Sequence, residues 1–176
     1  TPEPRPNGEN PDLRIGVVLD VETTGLSLTD KIVELGARKI GFDRTTGEII
    51  WIGDVFQALQ EVDFPLPEDI TKLTGIRDAD LAGQRIDWTL FDEFIEEAAI
   101  IIAHNAAFDR PHVDKLSGVS RDKIWGCSCE QIDWRQWFPT SKQLFLALLH
   151  GYFYDGHRGL ADVDALVKLL SFSHPD

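Results

Sequence analysis

Apolar positions follow two rhythms along this chain, and their order predicts a mixed α/β domain. Residues 15–19, Ile-Gly-Val-Val-Leu, form the compact aliphatic run of a central strand buried on both faces. Asp20 closes that strand. Because strand side chains alternate, Asp20 and Glu22 share one face and Val21 takes the other, before Thr24-Gly25 breaks the extended run. Residues 32–42 and 48–56 are strand-like and joined by Asp43-Arg44-Thr45-Thr46-Gly47, the pattern of an antiparallel hairpin. Pro65 and Pro67 end that unit, and residues 71–76 read as a short helix and turn. Over residues 88–97 the period changes: Leu90, Phe91, Phe94, Ile95 and Ala98 recur every three or four positions, which predicts a helix. Residues 99–103, with Ile100-Ile101-Ile102 at their centre, make another buried strand that delivers His104-Asn105 at its end.

A helix is predicted over 107–116, through Asp109 and despite Pro111. A last strand is expected at 125–128. Ser141 is the expected N-cap of a helix running through His150. A Gly-rich loop, 151–159, leads to a final helix from about 160 to 172, whose stripe is Leu160, Val163, Leu166, Val167 and Leu170. Asp162 sits in its first turn, off that stripe. There is no internal repeat and no linker. Hairpin-bearing strands followed by strands alternating with helices predict one folded domain over residues 13–176. Four prolines, Gly8, Asn7 and Asn10 near the start predict a disordered tail over residues 1–12.

Composition narrows the class. At 176 residues, with 43% hydrophobic and 27% charged, the chain is long enough for one proper core. The lack of any Met predicts a trimmed or processed chain, and no apolar run reaches membrane-spanning length. A net charge of -13 is the wrong sign for a protein that coats duplexes through many phosphate contacts. It suits an enzyme that grips a strand end with the help of bound cations. Residues 110–142 depart from this balance, with six basic residues against four acidic ones, and are the candidate nucleic-acid flank alongside the equal reading of solvated helix faces. Cys127 and Cys129 are too close to pair readily and lack further soft ligands, so they read as small interior or half-buried residues of a protein in a reducing cytoplasm. Trp134 and Trp137, three apart, read as helix packing.

Three short clusters carry candidate chemistry: Asp20-Val21-Glu22-Thr23-Thr24-Gly25, His104-Asn105-Ala106-Ala107-Phe108-Asp109, and His157 with Asp162 five residues on. Asp109 and Asp162 taken singly are acids near helix starts, favoured there by the helix dipole alone. His157 taken singly is a solvated loop histidine. Ending a buried strand with paired acids, however, is costly without a cation. The clusters together offer four carboxylates and one imidazole, a set suited to two hard divalent cations and a general base. Oxygen-only ligation favours Mg2+ or Mn2+ over Zn2+. His112, His150 and His174 have no comparable neighbours in sequence.

In this order the clusters resemble the motifs of the DnaQ-like 3′→5′ exonucleases, the family that includes exonuclease domains of replicative proofreading subunits. The motifs are Asp-x-Glu-Thr-x-Gly at 20–25, His-Asn-x-x-Phe-Asp at 104–109, and His-x4-Asp at 157–162. Arg158 stands where the Tyr-type subgroup has tyrosine, so the resemblance is to the His-type (DEDDh) subgroup. It covers roughly residues 13–172. The resemblance implies a ribonuclease-H-like mixed five-stranded sheet flanked by helices, and hydrolysis that frees 5′-mononucleotides from 3′ ends of single-stranded or frayed DNA. It implies that Asp20, Glu22 and Asp162 hold the cation nearest the attacking water. Asp20 would also bridge to a second cation that Asp109 supports, and His157 would be the base. Thr23, Gly25 and Leu26 would grip the terminal nucleotide, with Leu26 as an apolar wedge, and His104, Asn105 and Phe108 would line its site, Phe108 stacking on a base. A DNA polymerase is the partner the resemblance brings with it. The alternative substrate is RNA, which depends on how the pocket treats a 2′-hydroxyl. A non-catalytic binding module would have lost one or more of these acids, and none is lost.

Overall fold

The structure, a computed structural model, describes residues 12–172. The predicted tail, apart from Asp12, lies outside the described residues, as does His174. Five strands form one mixed sheet in the order β3-β2-β1-β4-β5. β1 (Leu13–Thr23), β2 (Ile32–Asp43) and β3 (Ile49–Leu59) are antiparallel neighbours, whereas β4 (Ile100–Ala103) and β5 (Ile124–Cys127) run parallel to β1 and to each other. This is the five-stranded sheet the resemblance implies. One expectation needs correcting. Asp20 does not close β1, because β2 continues to pair alongside it through Glu22↔Glu34 and beyond. The two acids are therefore held by the ladder to β2 and not by a fraying end.

Alternation along β1 assigns its side chains to two cores. Val17, Leu19 and Val21 pack with Ile101 of β4 and with Phe91 and Ile95 of the helix at Trp88–Ile95. Val18 faces the other way, onto Val163, Leu166 and Val167 of the last helix, Gly159–Leu170. Burial of each such aliphatic side chain contributes roughly 1.5–3 kcal/mol, so the last helix is clamped to the sheet by its apolar stripe. By the same parity, Asp20 and Glu22 lie on the face covered by that helix.

The helices in chain order are α1 (Glu68–Thr74), α2 (Asp78–Leu81), α3 (Trp88–Ile95), α4 (Ala106–Val113), α5 (Ser128–Gln131), α6 (Gln143–Leu149) and α7 (Gly159–Leu170). Gly75, at φ 72°, ends α1. Asp87 caps α3 by accepting from Thr89 N and Leu90 N, an arrangement worth about 1 kcal/mol. Two further expectations differ from what is seen. Ser141 is not a cap: Lys142 occupies that position without a side-chain bond, and the Ser141 carbonyl instead meets His104 Nε2 at 2.7 Å. Trp134 and Trp137 do not share an α-helix. A single 3-10 turn, Trp134–Gln136, buries Trp134 while Trp137 stays partly exposed.

One close contact sets the height of α7 above the sheet. A Cβ at Gly36 of β2 would lie 2.4 Å from Gly159 C and 2.5 Å from Leu160 N. Only a residue without a side chain lets the helix start rest on the strand, and Gly36 is the register partner of Asp20.

Candidate active site

The end of β1 and the start of α7 meet above Gly36, and that meeting builds the site. Asp20 and Glu22 project from the strand, Asp162 projects from the first helical turn, and one oxygen from each lies within 4.8 Å of the others. Beneath them stands Glu34, the cross-strand partner of Glu22, with no exposed surface at all. It accepts hydrogen bonds from Gly159 N (3.1 Å), Arg158 Nε (3.1 Å), Arg158 Nη2 (3.3 Å) and Gln57 Nε2 (3.0 Å). Its carboxylate thus satisfies an unpaired N–H of the helix start and holds the arginine beside His157. A buried carboxylate stays only where such partners repay its desolvation.

Asp109 arrives from the opposite side. Pairing between β1 and β4 covers only Gly16 to Val18, so the β1 backbone beyond it has no strand neighbour on that edge. Asp109, on α4 and buried, fills the gap by accepting from Val21 N at 3.1 Å. The sequence expectation of a helix through Asp109 holds, and the helix carries Pro111 within it.

The remaining predicted residues frame a cleft of about 340 Å³ lined by the four acids, Thr23, Gly25, Leu26, His104, Asn105, Phe108, Gln143 and His157, with Ile70, Leu73 and Thr74 of α1 as a far wall. Thr23 Oγ1 donates to Gly25 O. Gly25 lies so close to Asp30 that a Cβ would meet its carboxylate at 2.7 Å, while Asp30 accepts from Ser27 N and Thr24 Oγ1. That stitched turn leaves Leu26 89% exposed at its tip, an apolar side chain presented to the cleft with nothing of the protein to cover it. Phe108 packs partly against the core and meets the His112 ring at a tilt of 55°, their centroids 5.1 Å apart.

His104 has both nitrogens engaged within the protein. The Ser141 carbonyl can only accept, so Nε2 carries the proton and Nδ1 accepts from Ser128 Oγ at 2.8 Å. Burial lowers its pKa, against the pull of the Ser141 carbonyl and of Asp162, which keeps the ring neutral as a tie between β4, α5 and the lead into α6. His157 is exposed at the rim and has φ 63°, a positive value among non-glycine residues. The expected basic flank is largely spent internally. Arg110 pairs with Asp114, Arg121 donates to the Asp114 carbonyl, Lys115 to the Leu28 carbonyl and Lys123 to the Glu96 carbonyl. Cys127 and Cys129 are half-buried, as expected, with sulfurs 3.6 Å apart.

Sequence reading missed Glu34, Gln143 and Tyr154. Gln143 Nε2 reaches the Asp162 carbonyl at 2.7 Å, and Tyr154 Oη donates to Asp162 Oδ1 at 2.8 Å. No local pattern marks the latter two. Glu34 had one signal: an acid amid the apolar run 32–37 of a strand that is covered on both faces.

Electrostatics tests whether the acids fit cations. Burial, followed by the charges of Asp109, Asp162, Glu22 and Glu34, raises the pKa of Asp20 well above the usual range. Burial and then Asp162, Glu34 and Asp109 push Glu22 up to about 8, with Arg158 opposing. Burial lifts Asp109 to about 7 against its bond from Val21 N, and raises Asp162 against its hydrogen bonds from Tyr154 and Arg158. Four acids that repel one another across a small space need protons or cations to coexist, and their all-oxygen donor set suits hard divalent ions.

Comparison with known proteins agrees. The model of the RNase_T family, described as exonuclease, matches residues 17–118. DNA polymerase III PolC-type from Pediococcus pentosaceus is 40% identical over 108 residues, 58% of this chain and 7% of that protein. The PolC-type polymerase of Halalkalibacterium halodurans is 45% identical over 97 residues, 53% of this chain and 6% of its own length. The chain therefore spans under a tenth of these relatives. Among solved structures, the E. coli ExoI–ssDNA complex superimposes with a TM-score of 0.69 at 16% identity, over 89% of this chain and 39% of that one. Exonuclease X in complex with 5′ overhanging duplex DNA gives 0.63 at 20% identity, over 89% of both chains. The nuclease domain of 3′hExo, a DEDDh family member bound to rAMP, gives 0.63 at 16%, over 89% and 90%. With its family match spanning more than half the sequence and its sheet shared with those structures, the chain belongs to the RNase_T exonuclease family and has the ribonuclease-H-like fold of those exonucleases.

Proposed function

We propose that this domain removes nucleotides one at a time, as 5′-monophosphates, from the 3′ ends of single-stranded or frayed DNA. The observation that carries the reading is the convergence of Asp20, Glu22 and Asp162 oxygens within 4.8 Å at a cleft rimmed by His157. Asp20, Glu22 and Asp162 are the proposed ligands of one divalent cation, Mg2+ or Mn2+, and Asp20 with Asp109 those of a second. Bound there, such cations would supply charge stabilisation to an in-line displacement at the phosphodiester. The chain's own groups do the rest. The imidazole of His157 takes a proton from water at one ring nitrogen. Leu26 wedges against the terminal base, and Phe108 offers a stacking face that tolerates any sequence. Thr23, Gly25 and Asn105 present polar groups along the strand end. His104 lines the cleft and holds its wall in place.

DNA is favoured over RNA because the similar curated proteins are DNA polymerases, and a polymerase is the proposed partner or parent assembly. The test is product analysis on 3′-labelled DNA and RNA oligomers of matched sequence, with and without Mg2+ or Mn2+. Mononucleotide release that needs the cation is expected, faster on DNA, and Asp20→Ala should lower it by about 10³-fold or more. Near-normal cation-dependent cleavage by Asp20→Ala would defeat the assignment.

A further inference from the structure

Asp162 is surrounded by donors that no reading of the three motifs anticipates. Tyr154 Oη donates to its Oδ1 at 2.8 Å, and Gln143 Nε2 donates to Tyr154 Oη at 3.1 Å, making a relay of amide, phenol and carboxylate. The same Gln143 nitrogen reaches the Asp162 carbonyl at 2.7 Å and, more weakly, Oδ1 at 3.4 Å. Arg158 N donates to Oδ2 at 2.9 Å. An ionised carboxylate has about four acceptor sites. The donors from Tyr154, Gln143 and Arg158 reach both of its oxygens and so fix its plane. The donors come from three different pieces of chain: Gln143 opens α6, Tyr154 lies in the loop that carries His157 three residues later, and Arg158 caps α7.

We propose that Tyr154 and Gln143 are positioning residues that hold Asp162 in its cation-binding orientation and fasten the His157 loop to it. The inference rests on the reading of Asp162 as a cation ligand. Fixing a ligating carboxylate from outside is worth about 10–100-fold in metal affinity, because an unheld side chain must be ordered on each binding event. Tyr154 is suited to this task. Its hydroxyl accepts from Gln143 Nε2 on one side and donates its own proton to Asp162 Oδ1 on the other. Tyr152 makes a useful contrast, since its hydroxyl donates to the Ala165 carbonyl of α7, away from the carboxylates.

The experiment measures Mn2+ affinity by calorimetry on the protein stripped of divalent ions, alongside the Mn2+ dependence of cleavage. Tyr154→Phe, which removes only the hydroxyl, should weaken Mn2+ binding about 10–100-fold and shift the Mn2+ requirement of cleavage upward, with turnover partly restored at saturating Mn2+. Gln143→Leu should act in the same direction and keeps the idea testable if the tyrosine variant misfolds. Tyr152→Phe should bind Mn2+ as the parent does. Wild-type affinity in both Tyr154→Phe and Gln143→Leu, with Asp162→Asn abolishing binding, would overturn the positioning role alone. Wild-type affinity in Asp162→Asn would overturn the ligand reading and this inference with it. Equal losses in Tyr152→Phe and Tyr154→Phe would mean general loosening, and would also overturn it.

Discussion

His157 occupies a backbone conformation that costs energy. At φ 63° a side chain crowds the following carbonyl, a penalty of roughly 1–2 kcal/mol that glycine avoids and asparagine largely tolerates. Glycine would be the least strained residue here, yet the chain keeps an imidazole at the rim of an acidic cleft. His157→Asn separates the two explanations. It should fold at least as stably as the parent, because nothing buried is lost and strain is eased. Cleavage should fall by about 10²–10⁴-fold, the usual worth of a general base. A variant with unchanged turnover would show that the imidazole moves no proton in this reaction.

At the scale of elements, the site depends on how α7 is seated. Its first turn rests on Gly36, where a Cβ would lie 2.4 Å from backbone that cannot rotate away. Gly36→Ala must therefore lift the helix start, and with it Asp162, from the strand that carries Asp20 and Glu22. A cost of about 1–3 kcal/mol in stability is expected, as for other overpacked contacts, with a loss of cation-dependent cleavage larger than that destabilisation explains. Thermal unfolding and Mn2+ titration on the folded protein check this; unchanged Mn2+ affinity would mean that the seat does not place Asp162. The same junction marks where sequence reading stops. Strand alternation was enough to put Asp20 and Glu22 on one face, and helical spacing was enough to lift Asp162 off the apolar stripe of α7. Neither rhythm could place Glu34 opposite Glu22 or Gly36 opposite Asp20, since cross-strand register is set by the whole hairpin and not by local pattern. Tyr154 and Gln143 were hidden for a similar reason: their partner lies 8 and 19 residues away, across a loop with no period of its own. Ser141 misled because its local signal for a cap is real, but tertiary contact with His104 claims its carbonyl.

For the whole molecule, the acidic cluster makes stability depend on pH and cations together. Glu22 has its pKa raised from 4.5 to about 8 and Asp109 from 3.8 to about 7 in the folded chain. Below about pH 3 both groups are protonated folded or unfolded, so they cost nothing. As pH rises toward 8 the unfolded chain has already released these protons while the folded chain must give them up against repulsion and burial, so their contribution to stability falls across that window. Divalent cations bind the deprotonated acids, and their stabilising effect should grow over the same range. At a cation concentration about 100 times the dissociation constant the gain is about 2.7 kcal/mol, or roughly 5–10 °C in Tm for a chain of this size. The shift caused by Mn2+ should therefore be several degrees at pH 8 and much smaller at pH 5. Taking the difference with and without Mn2+ at each pH removes the acid sensitivity of every carboxylate outside the cluster. The double variant Glu22→Gln, Asp109→Asn supplies the converse. Stripped of two of the repelling charges, it should melt above the parent at pH 8 without cations, respond little to Mn2+, and cleave nothing. A parent protein whose Mn2+ shift is the same at pH 5 and pH 8 would mean that these acids do not hold cations, and that their closeness is met in some other way.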